Sequence, residues 1–79
     1  MSRGEILAKL TAVFRDVFDD DDLILTEATT RDDVEGWDSL ANINLVVSIE
    51  DEFNISFSMD NIVDIKTVGD LADVVMEGL

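Results

Sequence analysis

Apolar residues recur at three- and four-residue steps along most of this chain, and that spacing favours packed helices. The first stripe follows Ser2 and Glu5, whose separation is typical of a capping box at a helix start. The stripe is formed by Ile6, Leu7, Leu10, Val13, Phe14, Val17 and Phe18. Because these side chains share one face of a helix with about 3.6 residues per turn, they predict an amphipathic helix over about residues 3 to 18.

A segment without helical periodicity follows, over about residues 19 to 37, and it opens with the aspartates Asp19 to Asp22. The negative end of a helix dipole disfavours further anions, so the first helix should end before them. The apolar residues expected to hold this loop against the core are Leu23, Ile24, Leu25, Val34 and Trp37. Trp37 has a second interpretation, an aromatic side chain that contacts a partner. A loop this long in so small a domain is uncommon and often functional.

The rest of the chain predicts three more helices. The second begins with Asp38 as its N-cap and runs to about Phe53, where Asn54 is a reasonable terminator. Ile55 and Phe57 are expected as buried loop anchors, followed by one short turn through Ile62 and Val63 that Ser58 caps. Thr67 and Asp70 resemble a capping pair for a last helix with Val68, Leu71, Ala72, Val75 and Met76 inward. The prediction is an all-α four-helix bundle, with a short third helix and a long loop between helices one and two.

The composition of the chain limits the classes of function that it can have. With 79 residues, of which 47% are hydrophobic, the chain is expected to form a single domain, residues 1–79, with a real core. Five basic residues against 19 acidic ones give a net charge of −14, which disfavours nucleic acid and anionic membranes and favours partners with basic patches. No apolar run approaches the ~20 residues that span a bilayer, and the N-terminus is amphipathic, so a cytoplasmic protein is expected. The chain is also expected to be a monomer. Because Cys and His are absent, we predict no enzyme, no catalytic residue and no metal site.

The most informative motif is Gly36-Trp37-Asp38-Ser39-Leu40, a hydroxyl at a helix start after a long loop. The simplest interpretation is an Asp N-cap followed by an ordinary serine. The alternative is that Ser39 lies exposed on the first turn, beside unpaired backbone N–H groups. Since a helix N-terminus is a favourable place for a phosphate diester, Ser39 is a candidate to receive a phosphate-linked group.

This motif, with the run from Leu45 to Ile55 that follows it, resembles the acyl carrier protein family over essentially the whole chain. The resemblance implies that a phosphopantetheinyl transferase attaches 4′-phosphopantetheine to Ser39, with Asp38 helping it to recognise the site. It also implies that the arm carries an acyl or aminoacyl thioester to biosynthetic enzymes. Fatty acid biosynthesis is the usual setting, but Ala41 and Asn44 replace acids common there. Trp37 is more typical of carriers from specialised or aminoacyl pathways, so the cargo stays open.

Three other functions compete with the carrier. A Gly-Asp-Ser-Leu hydrolase is disfavoured because Trp37 interrupts that string and no histidine exists to activate Ser39. An EF-hand is disfavoured because neither register, starting at Asp19 or at Asp20, places acids and glycine where calcium needs them. The third is an unmodified acidic helical adaptor that binds a basic protein partner, and only the use of Ser39 distinguishes it from a carrier.

The second helix has two apolar arcs. Leu45, Val46, Ile49 and Phe53 fall within one arc, which is the natural core face. Leu40, Ile43 and Val47 form the other, which either packs against helix three or is an exposed patch that docks onto enzymes, flanked by Glu50 and Asp51. The carrier resemblance favours docking.

Overall fold

A computed structural model shows the protein as an all-α bundle of four helices. The structure describes the backbone of residues 1–79 and the side chains of residues 1–62 and 65–79. The helices are α1 (Arg3–Val17), α2 (Ser39–Phe53), α3 (Met59–Asp64) and α4 (Val68–Gly78), and a 3₁₀ turn spans Arg31–Asp33 in the long loop. The predicted four-helix architecture, with its short third helix and its long first loop, is confirmed. The side chain of Val63, which the sequence places in the short turn, lies outside the described residues.

Local capping explains why the helices begin where they do. In each case the cap side chain accepts a hydrogen bond from the backbone N–H three residues on, at 2.8–3.2 Å. The caps are Ser2, Asp38, Ser58 and Thr67, as the sequence predicts. The first box is only half formed, because Glu5 accepts from the Ser2 hydroxyl at 3.3 Å.

The cap of α4 is reciprocal, since the Asp70 carboxylate accepts from the backbone N–H groups of Lys66 at 3.0 Å and Thr67 at 3.1 Å. The bond from Lys66 is the main reason that the pKa of Asp70 lies below its ordinary value. Because folding lowers this pKa, the contribution of the cap is present above the pKa of the unfolded carboxyl. It is lost as the pH falls through the folded-state value.

Both long helices end in a left-handed residue. Asp19 (φ 52°) follows α1 and Asn54 (φ 56°) follows α2. In each case the next N–H bonds back to a carbonyl in the last turn, from Asp20 to Arg15 at 3.0 Å and from Ile55 to Glu50 at 3.2 Å. This geometry is the Schellman motif, which satisfies carbonyls that a helix end leaves without partners. Helix α1 therefore ends where the run of aspartates begins.

The core lies where α1 packs against α2 and α4. Its helical members are Ile6, Leu10, Val13, Phe14, Leu45, Val46, Ile49, Phe53, Val68, Leu71, Ala72 and Val75, all buried. The prediction that Ile24 and Met76 are buried in the core is wrong. Ile24 is 77% exposed, because Leu23 and Leu25 pack inward and the residue between them faces the other way, as in an extended chain. Met76 is 45% exposed, at the edge of the bundle, where its sulfur accepts a hydrogen bond from Arg3 at 3.3 Å.

The middle of the long loop is fastened to the start of α4. Thr30 forms an isolated antiparallel bridge with Thr67, and the N–H groups of Val68 and Gly69 donate to the carbonyls of Thr29 and Glu27, both at 2.9 Å. A Cβ at position 69 would lie 3.0 Å from that Glu27 oxygen, so a glycine permits the close approach.

Arg3 braces this junction from α1. Its guanidinium pairs with Glu27 of the loop and with Asp73 of α4, the latter at 2.7 Å. The hydrogen bond to Glu27 makes the largest contribution to raising the pKa of Arg3, and the hydrogen bond to Asp73 makes the second largest.

The second loop is also held by side chains. Ile55 and Phe57 pack against the core as the predicted loop anchors, but they are partly and not fully buried. Among the described residues, no helix is long and apolar enough to cross a bilayer.

Candidate functional site

A tight turn connects the long loop to α2. The N–H of Trp37 donates to the Val34 carbonyl at 3.2 Å, and the N–H of Asp38 donates to the Gly36 carbonyl at 2.9 Å. Gly36 has φ +87°, a left-handed backbone angle that strains any residue with a Cβ. The glycine of the motif is therefore explained by backbone geometry.

Trp37 fixes this turn to the bundle. Its ring is 5% exposed and meets the ring of Phe14 edge-on, with centroids 5.1 Å apart and planes at 85°. Phe18 lies on the same aromatic cluster, 6.4 Å from Trp37. The indole Nε1–H donates to Oδ1 of Asn42 at 2.9 Å, and Asn42 is itself buried. Of the two interpretations of Trp37, the structure supports the loop anchor, because the ring is inaccessible to a partner.

Asn42 is a site residue that the sequence analysis missed. It lies one turn after Ser39, and its amide supplies the acceptor for the indole within a buried environment. A signal was present, because Asn42 precedes Val46 and Ile49 by four and seven residues and so falls on the core face of α2. An amide on an apolar face needs a buried partner, and Trp37 is that partner.

Ser39 occupies the first position of α2 and is exposed. Asp38 caps the turn beneath it, accepting the Ala41 N–H on its side chain and the Asn42 N–H on its carbonyl, both at 2.8 Å. The N–H groups of Ser39 and Leu40 have no hydrogen-bond partner among the described residues. The hydroxyl thus stands beside two available backbone donors at the positive end of a 15-residue helix.

An open groove of about 530 Å³ runs beside Ser39, between the 3₁₀ turn, α2 and α3. The described residues that line it are Arg31, Ser39, Asn42, Ile43, Met59 and Ile62. Arg31 is the one charged residue of this set. Its Nε is buried, and no described residue accepts a hydrogen bond from it.

The second apolar arc of α2 is exposed. Leu40, Ile43 and Val47, which we call the apolar strip, are 71%, 58% and 52% exposed, so the interpretation that they pack against helix three is wrong. One flanking acid differs from expectation, because Oε2 of Glu50 accepts the Phe57 N–H at 2.7 Å and so supports the loop after α2. Asp51 remains exposed beside the strip.

Comparison with known proteins identifies the family. A family model described as a phosphopantetheine attachment site matches residues 8–75. The acyl carrier protein of Thermosynechococcus vestitus is 30% identical over 76 residues, covering 95% of this chain and 93% of its own. That of Phenylobacterium zucineum is 33% identical over 76 residues, covering 96% of each chain. The chain belongs to the acyl carrier protein family.

A solved structure agrees with this assignment. The solution NMR structure of holo acyl carrier protein from Geobacter metallireducens matches with a TM-score of 0.85 and 46% identity, covering 91% of this chain and 83% of that chain. The protein is therefore a carrier whose prosthetic group is 4′-phosphopantetheine. Members of the family act as carriers and interact with the enzymes that modify them and handle their acyl groups.

The residues around Ser39 fit such a prosthetic group. A phosphodiester needs an exposed hydroxyl as its anchor and hydrogen-bond donors for its oxygens, and the start of α2 offers both. The buried Nε of Arg31 is an additional donor that no described residue pairs with. The adjoining groove offers apolar contacts from Ile43, Met59 and Ile62.

We predict that Asn42→Leu destabilises the protein by about 1–3 kcal/mol, because it leaves the buried Trp37 indole N–H without an acceptor. Urea unfolding followed by circular dichroism measures this. Asn44→Leu is the matched control, since it makes the same exchange at an exposed position of α2 and should change stability by less than about 0.5 kcal/mol. In a Trp37→Phe background the cost of Asn42→Leu should shrink, because the donor is gone. Equal effects at positions 42 and 44 would contradict this account.

Proposed function

We propose that Ser39 is the residue that carries the 4′-phosphopantetheine arm, and that the protein presents acyl or aminoacyl groups to biosynthetic enzymes without catalysing a reaction itself. The observation that supports this most strongly is the exposed hydroxyl at the first position of α2, beside two N–H groups with no partner among the described residues. When the arm is bound, its terminal thiol holds the cargo as a thioester. The whole chain, residues 1–79, is proposed to act as one carrier domain.

The role of this chain in that cycle is to hold its serine still and accessible. Asp38 keeps the first turn of α2 closed through its cap, so the Ser39 hydroxyl projects from a formed helix. Trp37 and Asn42 fasten that turn to the core. We propose that Asp38 also contributes to recognition by the phosphopantetheinyl transferase.

The apolar strip is the proposed contact for partner enzymes. Leu40, Ile43 and Val47 lie exposed within two turns of Ser39, on a protein whose net charge is −14. Apolar contacts from the strip and attraction between the acidic surface and basic patches on the enzyme would act together. The cytoplasmic location and the monomeric state stay predictions.

We expect one arm per chain, attached to Ser39. Apo protein incubated with coenzyme A and a promiscuous phosphopantetheinyl transferase should gain the mass of a single arm, and peptide mapping should place it on Ser39. Ser58→Ala, which removes another hydroxyl at a helix start, is the matched control and should still be modified. Modification that persists in Ser39→Ala would overturn the assignment. No modification of the wild type by several transferases would favour the unmodified adaptor.

Acidic substitutions in the apolar strip should impair recognition more than folding. For Val47→Glu and Leu40→Asp we expect stability changes within about 1 kcal/mol, as is usual at exposed positions. The kcat/KM of the transferase toward Val47→Glu should fall about tenfold, the effect of losing roughly 1.4 kcal/mol of binding to the transition state. Position 47 is the sharper test, because it lies two turns from the modified serine.

The matched control for this experiment is Ala8→Glu, which adds the same charge at an exposed position of α1. If Ala8→Glu slows the transferase as much as Val47→Glu does, net charge and not the strip sets the rate. If Val47→Glu unfolds the domain, the strip is part of the core and the docking proposal fails.

A further inference from the structure

We propose that Arg31 holds the phosphodiester that joins the arm to Ser39, so that the arm leaves the serine along the groove between α2 and α3. This inference rests on the proposed attachment at Ser39. It assigns a binding role to a residue of the long loop, eight positions before the serine and outside the motif that marks the site.

The first reason is the state of the Arg31 guanidinium. Its Nε is buried, and no described residue accepts a hydrogen bond from it. A buried donor without an acceptor costs stability, and the cost is larger when the group is charged. An anion that arrives after folding would supply the acceptor. Arginine suits a phosphate particularly well, because its planar fork can donate two parallel hydrogen bonds to two oxygens.

The second reason is that Arg31 makes no ion pair with the adjacent Asp32, and that two other acids near it in the sequence have other roles. Asp33 accepts the Thr30 N–H at 2.9 Å and closes the 3₁₀ turn, and Asp38 caps α2. Both ion pairs in the described part of the chain belong to Arg3. Arg31 makes no ion pair with a described residue, and of the basic residues without one it alone lines the groove beside Ser39.

The third reason is position. Arg31 and Ser39 line the same groove, and none of the other described residues that line it is charged. The phosphodiester is an anion that becomes attached to one wall of this groove, so the cation of that groove is its natural counter-charge. Ile43, Met59 and Ile62 add apolar side chains to the wall, beside the amide of Asn42. An arm fixed at its phosphate by Arg31 would lie against these side chains, whereas an unfixed arm would sample the solvent.

The test compares apo and holo forms of four proteins at low salt: wild type, Arg31→Gln, Arg31→Lys and Lys66→Gln. Lys66→Gln is the matched control, because it removes the same charge from an exposed residue that does not line the groove beside Ser39. The first readout is the holo-minus-apo difference in Tm, in which any effect of the substitution on folding alone cancels. The second is the NMR resonance of the Arg31 Nε–H group.

We expect attachment of the arm to raise the Tm of the wild type by a few degrees and to shift the Nε–H resonance. Arg31→Gln should abolish the rise in Tm, Arg31→Lys should keep part of it, and Lys66→Gln should keep all of it. An equal rise in Arg31→Gln and wild type, with an unmoved resonance, would overturn the proposal.

A loaded arm distinguishes the phosphodiester from a cargo carboxylate as the anion that Arg31 binds. If the resonance shifts only when the arm carries a succinyl group, and not when it is unloaded or acetylated, Arg31 binds the carboxylate and the assignment to the phosphodiester is wrong. Intact mass is measured first in every sample. If the wild type gains no arm, the proposed function fails, and this inference fails with it. If the arm is gained without the Arg31 effects, only this inference fails.

Discussion

The packing of Trp37 is the interaction on which the rest of the site depends. Its ring lies against Phe14 of α1, and its indole N–H is bonded to Asn42 of α2. This one side chain therefore joins the end of the long loop to both of the long helices. The tight turn at Gly36 precedes Trp37, and the capped start of α2 follows it. The buried Trp37 ring therefore fixes the position of Ser39, two residues later in the chain.

The loop has a second fixed point, at the start of α4. Backbone bonds from Val68 and Gly69 hold its middle to α4, and the Arg3 guanidinium pairs with Glu27 beside them. With both ends of the segment held, the 3₁₀ turn between them places Arg31 in the lining of the groove that Ser39 also lines. A carrier benefits from this arrangement, because a firm base lets the attached arm alone supply the motion between enzymes.

The sequence predicted the helix starts, which depend on residues a few places apart, and missed the contacts between the long loop and α2. The helix starts at Asp38, Ser58 and Thr67 were predictable because a cap bonds to an N–H three residues away. The pairing of Trp37 with Asn42 was missed, although Asn42 falls on the core face of α2. The placement of Arg31 and Ser39 along one groove was not predicted, since it depends on how the loop folds back onto α2. Ile24 was wrongly placed in the core for a similar reason: a short apolar run does not reveal which residue turns outward.

The central claim is that Ser39 is presented from a base that is already rigid before the arm is attached. Hydrogen exchange of the Trp37 indole N–H in the apo protein, followed by NMR, tests it most directly. The account predicts that this proton exchanges about as slowly as the backbone amides of Leu45 and Ile49 in the core, and far more slowly than the Ser39 amide. Exchange of the indole proton as fast as that of the Ser39 amide would show that the anchor opens freely, and would contradict the account.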